Sequence, residues 1–303
     1  MSYNNLKKKI LIVGGTGFIG YNLIKLLKKK DFEITSISTK KPKKIRKHNK
    51  VKYLFLDISK YRYLNILKKD FDYVVNLSGY VDHSNKKLTY RSHFIGCKNL
   101  VNFFQQSKVK SFIQIGSSLE YGKLNSPQNE KKGLTPLSIY SKSKFLATKF
   151  LIKKFSINKF PSIILRGYQV YGPKQENNRL VSTVISNCLK NKKFDCSSGE
   201  QLRDFIYVDD FVRAIYKSLN NKRAIGKVIN IGFGKPVKVK DLILFIKKKI
   251  KKGKPNFNKI KLRKDEAMIL YPSIKRANTI LNWKPLINLK EGLRRTILEY
   301  KKN

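Results

Sequence analysis

Ile10-Leu11-Ile12-Val13-Gly14-Gly15-Thr16-Gly17-Phe18-Ile19-Gly20 reads as a short buried strand, a tight turn and the first turn of a helix. Four successive apolar residues suit a strand covered on both faces. Gly14 lets the chain turn, Gly17 lets the backbone approach a phosphate, and Gly20 lets the helix pack on the strand. Phe18 and Ile19 open that helix, whose free N–H groups and positive dipole end face an anion. Glycines at this spacing carry weight only at the first strand-to-helix junction of a run of such units. The rest of the chain decides the matter.

Such a run follows. Lys9 to Val13, Ile34 to Ser38, Val51 to Leu56, Tyr73 to Leu77, Ser111 to Ile115 and Ser162 to Leu165 have strand character. Amphipathic stretches at Phe18 to Leu27, Leu88 to Gln106 and Ser138 to Phe155 lie between them. Repeated βα units with near-continuous apolar strands predict an α/β fold, a Rossmann-type doubly wound parallel sheet. Beyond Arg166 the regularity breaks at Gly172-Pro173, Ser197-Ser198-Gly199 and Gly232 to Pro236. Three helical patterns close the chain, Val239 to Lys249, Ser273 to Leu281 and Leu289 to Tyr300. The expected division is a dinucleotide-binding domain over 1–171, with 206–232 returning to it. A smaller, discontinuous substrate lobe takes 172–205 and 233–303.

An acidic residue that would hold a ribose 2′-hydroxyl should end the second strand, but that stretch is Ile37-Ser38-Thr39-Lys40-Lys41. Ser38 and Lys40 suit a 2′-phosphate instead, so NADP is expected over NAD. Asp57, closing the third strand, either accepts from an adenine amino group or caps the helix that follows. Gly116-Ser117-Ser118-Leu119-Glu120-Tyr121-Gly122 follows the fifth strand, and Tyr140-Ser141-Lys142-Ser143-Lys144 opens a helix. Tyr140 and Lys144, four apart, share a helix face. For a tyrosine to act as base near neutral pH its pKa must fall by about three, roughly 4 kcal/mol. A nearby ammonium and an oxidised nicotinamide favour the phenolate, and a serine hydroxyl orients the substrate oxygen.

With these motifs in place, the chain resembles the extended short-chain dehydrogenase/reductases: nucleotide-sugar epimerases, dehydratases and 4-keto reductases. The resemblance runs through GGTGFIG (14–20), EYG (120–122), YSKSK (140–144), LRGYQVYGP (165–173), RDFIYVDD (203–210), INIG (229–232) and LNWKP (281–285). It implies Ser117, Tyr140 and Lys144 as the catalytic triad, with Ser118 second to Ser117 and able to touch substrate. It also implies Leu77, Ser78 and Gly79 beside the cofactor, and Arg203 clamping a substrate diphosphate opposite Tyr168 and Gln169. Arginine's bidentate fork agrees with that last role. Asp204 and Asp209 are expected to hold the loop and helix start in place. The chain makes three departures from the family. Ser118 and Leu119 replace the Asp-Glu pair of the 4,6-dehydratases, which argues against dehydration. His93 replaces an Asn ahead of Gly96 and Asn99, and Gln169 replaces the Asn of the R-x-x-N element. The polar loop Gly79-Tyr80-Val81-Asp82-His83-Ser84 is placed on the sugar side.

Composition narrows the alternatives. The 303 residues carry 67 Lys or Arg and 19 Asp or Glu, a formal charge of +48, yet 41% are hydrophobic, enough for a large core. The lysines are spread along the chain with abundant Asn, Ile, Tyr and Phe, which fits a solvated surface rather than a specific nucleic-acid site. The apolar run after Lys7-Lys8-Lys9 ends at Gly14, too short for a signal peptide's core of about 7–15 residues. No run reaches the roughly 20 residues that span a bilayer. Cys97, Cys188 and Cys196 form no C-x-x-C pair, so neither a disulfide framework, a zinc site nor another metal centre is expected, and a cytoplasmic setting is. The expected activity is hydride transfer at C4 of a nucleoside-diphosphate sugar by a 4-keto reductase, with a homodimer compatible. A 4-epimerase that retains NAD is the alternative. A non-catalytic dinucleotide sensor or RNA-binding protein, favoured only by the charge, is more distant.

Overall fold

Short runs of Ile, Val, Leu and Phe become parallel strands when helices cover both faces of the sheet. The computed structural model describes residues 7–80, 82, 84–131, 134–262 and 266–302. In chain order its strands begin with β1 (Lys8–Val13), β2 (Phe32–Ser38), β3 (Lys52–Phe55), β4 (Tyr73–Asn76), β5 (Ser111–Ser117) and β6 (Ser162–Gly167). Then come the short β7 (Gln169–Tyr171), β8 (Lys193–Asp195), β9 (Leu202–Arg203) and β10 (Phe205–Tyr207), followed by β11 (Val228–Ile231). The last three are β12 (Val237–Lys238), β13 (Lys254–Asn256) and β14 (Ile269–Leu270). One seven-stranded sheet has the order β3-β2-β1-β4-β5-β6-β11, parallel throughout. The chain moves outward from β1 to β3, then returns to lay β4 on the other side of β1. That reversal opens a crevice at the carboxyl ends of β1 and β4, where such sheets take ligands. The doubly wound sheet is as the sequence predicts.

The helices are α1 (Phe18–Leu27), α2 (Lys86–Tyr90), α3 (Gly96–Phe104), α4 (Ile139–Asn158), α5 (Leu180–Leu189), α6 (Val208–Leu219), α7 (Val239–Ile250), α8 (Lys275–Leu281) and α9 (Leu289–Lys301). Alternate strand residues face opposite ways. Ile10, Ile12, Val75, Ile113 and Leu165 therefore pack with α1 and α6, while Leu11, Val13, Val74, Phe112 and Ile164 pack with α3 and α4. A separate core joins Val184 and Ile185 of α5, Leu242 and Ile246 of α7, and Leu293 and Ile297 of α9.

Two details differ from the sequence reading. The tail segment holding α8, expected in the substrate lobe, packs on the sheet instead. Ala277, Leu281 and Trp283 bury into the core beside α6, and the Trp283 indole donates to Asp210 O at 3.1 Å. Its apolar face has more surface to cover there, and the buried indole N–H finds an acceptor. The single helical pattern from Leu88 to Gln106 is broken by a π-turn over Arg91–Ile95, a wider turn that re-aims His93. Among the described residues, no helix is long and apolar enough to cross a membrane.

Candidate active site

The loop after β1 is tightly specified. Gly14 has φ +81°, and a Cβ there would lie 3.0 Å from the Leu77 carbonyl group. A Cβ on Gly20 would stand 2.5 Å from Gly14 O, so only glycine lets α1 come this close. Gly17 is the N-cap of α1 and provides no capping side chain, leaving the N–H groups around Phe18 and Ile19 to be met by a ligand. Across the crevice the Leu77 N–H donates to Val13 O at 2.8 Å. The Ser78 hydroxyl donates to Asn76 Oδ1 at 2.6 Å, and Asn76 in turn donates to Gln114 at 2.8 Å. Gly79 makes room for His93, whose ring a Cβ would strike at 2.2 Å.

At the ends of β2 and β3 lies an open cavity of about 360 Å³ between Thr39, Phe55, Leu56, Asp57 and Tyr63. Its size and mixed lining suit an adenine. An uncapped helix N-terminus and a glycine cradle after β1, with this cavity at the ends of β2 and β3, fit a dinucleotide. Asp57 Oδ1 accepts the Ser59 N–H at 2.9 Å, so it caps the local turn while lining the cavity. The Ser38 hydroxyl accepts the Thr16 N–H at 3.5 Å, and Lys40 is exposed beyond the strand end. Ser38 thus faces the glycine loop.

The three candidate catalytic residues come together. Ser117 ends β5, and Tyr140 and Lys144 share one face of α4, which Ser138 caps by accepting the Ser141 N–H at 3.1 Å. Burial raises the Tyr140 pKa and the nearby Glu120 carboxylate adds to this, while the Ser117 hydroxyl facing it lowers it. Lys144 Nζ donates to Ile115 O at 2.7 Å. Burial pulls its pKa down to about 8, with the Glu120 charge acting in the opposite direction. The His93 ring stands edge-on to Tyr140, centroids 4.9 Å apart.

The candidate substrate side is assembled differently from expectation. Neighbouring residues at the start of a strand point opposite ways, so Tyr168 and Gln169 do not share one wall. Tyr168 is buried with its hydroxyl donating to Gln128 Oε1 at 2.9 Å, because a buried phenol needs a partner; only Gln169 is exposed. Ser118 is buried beside Ser117. Arg203 is buried too, and pairs with Glu266 rather than with Asp204 or Asp209. It also donates to Leu202 O at 2.9 Å and Met268 O at 3.3 Å. Asp204 instead accepts from the Phe233 and Gly234 N–H groups at 2.7 and 2.6 Å, and burial raises its pKa to about 6. Val81 and His83 of the polar loop lie outside the described residues; Asp82 accepts from the Ser84 hydroxyl at 2.7 Å.

Sequence reading missed Glu266, which sits 63 positions from Arg203 and has no local signature. It also passed over Glu120, although a signal existed. Glu120 and Arg166 are opposite charges set in apolar stretches, and buried charges come in pairs.

The model of a family described as NAD dependent epimerase/dehydratase matches residues 10–232. A dTDP-D-glucose 4,6-dehydratase of Dictyostelium discoideum is 31% identical over 74% of this chain and 58% of its own length. A UDP-glucuronate 4-epimerase of Thermodesulfobacterium geofontis is 25% identical over 97% of this chain and 96% of its own. The solved structure of the Bacillus cereus UDP-glucuronic acid 4-epimerase in complex with UDP-glucuronic acid and NAD superposes with a TM-score of 0.87 at 26% identity, covering 97% of this chain and 99% of that one. The family match reaches from β1 to β11, taking in the glycine loop, Ser117 and the helix of Tyr140 and Lys144, and so the chain belongs to the NAD dependent epimerase/dehydratase family.

Proposed function

We propose that this enzyme is a 4-epimerase of a nucleoside-diphosphate sugar and keeps NAD bound through its cycle. The observation that carries the reading is that Ser117, at the end of β5, acts on Tyr140 of α4, with Lys144 on the same helix face. Similarity to 4-epimerases over nearly the full chain supports it. NAD, held by the glycine loop Gly14 to Gly20 and by Leu77, Ser78 and Gly79, would supply the hydride acceptor and donor. Tyr140 as phenolate takes the C4 hydroxyl proton, and as phenol returns it after the 4-keto sugar has turned its other face. Ser117 holds the C4 oxygen in both half-reactions. Lys144, as ammonium, favours the phenolate. Arg203, released from Glu266, grips the diphosphate. Ser118 and Leu119 provide no carboxylate for proton transfer at C5 or C6, which speaks against dehydration.

A 4-keto reductase that binds and releases NADPH is the second reading, favoured by the absence of a carboxylate in Ser38-Thr39-Lys40-Lys41. Extraction of the purified protein separates the two. Co-purifying NAD, with UDP-glucose or UDP-glucuronate converted to its C4 epimer and no net change in NADH, is expected. An empty protein that binds NADPH more tightly than NADH and consumes it with a 4-keto sugar would make the enzyme a reductase. Tyr140→Phe should bind NAD normally and lose at least about a hundredfold in turnover. Near-normal turnover would remove the mechanism.

A further inference from the structure

We infer that Glu120 is the positioning residue of this site, one buried carboxylate that fixes Ser117 and the helix of Tyr140 and Lys144 to a common anchor, Arg166. The inference rests on the reading of Ser117, Tyr140 and Lys144 given above. Glu120 is fully buried in a short 3₁₀ turn, Ser118–Tyr121, directly after β5. Its Oε1 accepts the Ser117 N–H at 2.8 Å. Its Oε2 accepts the Thr148 hydroxyl at 2.8 Å, and Arg166 Nε and Nη2 at 3.1 and 3.0 Å. The Ser117 hydroxyl closes the turn by accepting the Leu119 N–H at 3.2 Å, so both ends of this serine are held.

Thr148 lies four residues after Lys144 and eight after Tyr140, on the same face of α4. The bond from Thr148 to Glu120 therefore sets how far along β5 that helix stands, and with it the meeting of Tyr140 and Ser117. Arg166, in β6 beside Gly116 of β5, is itself held over the Tyr121 ring at 4.7 Å. A Cβ on Gly116 would come 2.6 Å from Glu120 Oε1 and 3.1 Å from Arg166 Cγ, so this position keeps space open for the pair.

Stability alone does not explain such an arrangement. Removing two charges from water costs several kcal/mol per ion, and apolar residues of similar volume are often as stable or more so. What an apolar pair lacks is the set of directional bonds to the Ser117 amide and to Thr148. It also lacks the charge. Lys144 is faced by Glu120 and by Cys97 of α3; Tyr140 is faced by Ser117, Glu120, Arg179 and His93. Glu120 is thus the carboxylate common to both, and it favours the protonated form of each.

Glu120→Gln keeps the size and one acceptor oxygen, turns the other into a donor, and removes the charge. The titration of Tyr140 is read as the tyrosinate absorbance that Tyr140→Phe abolishes, in the protein freed of NAD. We expect its midpoint to fall by at least about half a pH unit in Glu120→Gln, since the deprotonated form is no longer opposed. On whichever of UDP-glucose or UDP-glucuronate the NAD-loaded enzyme turns over, kcat should fall about 10- to 100-fold with KM within about twofold. Both limbs of kcat/KM should move to lower pH. Glu120→Asp, which retains the charge but not the reach, should lose kcat with the limbs unmoved. Glu120→Leu/Arg166→Met replaces the pair with apolar residues, guards against a misfolded single variant, and should fold yet lose kcat similarly. Wild-type kcat in that double variant, or an unmoved Tyr140 midpoint in Glu120→Gln, overturns the inference. If Tyr140→Phe keeps full turnover, the reading of the site fails instead.

Discussion

Lys144 is buried where an ammonium is costly, and that gives activity and stability opposite pH dependences. Its pKa is about 8 in the fold against 10.5 for an ordinary lysine. In the proposed mechanism the Lys144 ammonium assists Tyr140; it is lost as pH rises through about 8, so turnover should decline there. Between about 8 and 10.5 the unfolded chain binds the extra proton, so this group's contribution to stability should rise over the same window. Chemical denaturation of wild type and Lys144→Met across that range isolates the contribution; a difference that falls with pH would refute the assignment. Arg203 offers a second residue-scale check. Arg203→Ala should weaken UDP binding by about 2–5 kcal/mol, as for truncating one member of a desolvated charge pair, and leave NAD affinity unchanged. Calorimetry with each ligand decides. Unchanged UDP affinity with a lowered melting temperature would confine Arg203 to its pair with Glu266 and two carbonyls.

At the scale of elements, the junction of β1 and α1 leaves little room for change. In Gly20→Ala the new methyl would sit 2.5 Å from both Gly14 O and Gly15 Cα, backbone atoms that cannot swing aside. The expected cost is about 1–3 kcal/mol, seen as a lower denaturant midpoint, together with weaker NAD binding because the loop itself is displaced. An unchanged midpoint would mean that α1 moves off β1 freely. This junction was readable because every constraint on it is local: apolar run, glycine spacing and helix start lie within eleven residues. α6 was also local in character, with Val208, Phe211, Val212, Ile215 and Leu219 on one buried face. It starts at Val208, directly after the strand that ends at Tyr207, so Asp209 stands in its first turn as expected of a helix start. The π-turn at Arg91–Ile95 has no such pattern, since its extra residue leaves the amphipathic character of the flanking turns intact.

For the whole molecule, charge is the dominant quantity. With 67 basic and 19 acidic residues, most cations have no carboxylate available to pair with, and they repel one another more in the compact state than in the expanded one. Raising NaCl from about 0.02 M to about 0.5 M should therefore increase Tm by several degrees, as screening relieves that repulsion. Trp283, the only tryptophan and 1% exposed, gives a fluorescence readout of the transition. A falling Tm would mean that ion pairs outweigh the repulsion. The sequence by itself determined the parallel sheet, the glycine loop and the nearness of Tyr140 to Lys144, because strand and helix periods and turn chemistry act over a few residues. Only the tertiary structure decided that Glu266 meets Arg203, that Gln128 takes the Tyr168 hydroxyl, that Arg166 and Thr148 converge on Glu120, and that α8 covers the sheet. Those partners are drawn together by desolvation. A buried polar group must find a complement among whatever distant elements packing brings beside it, and no local pattern of residues names that complement in advance.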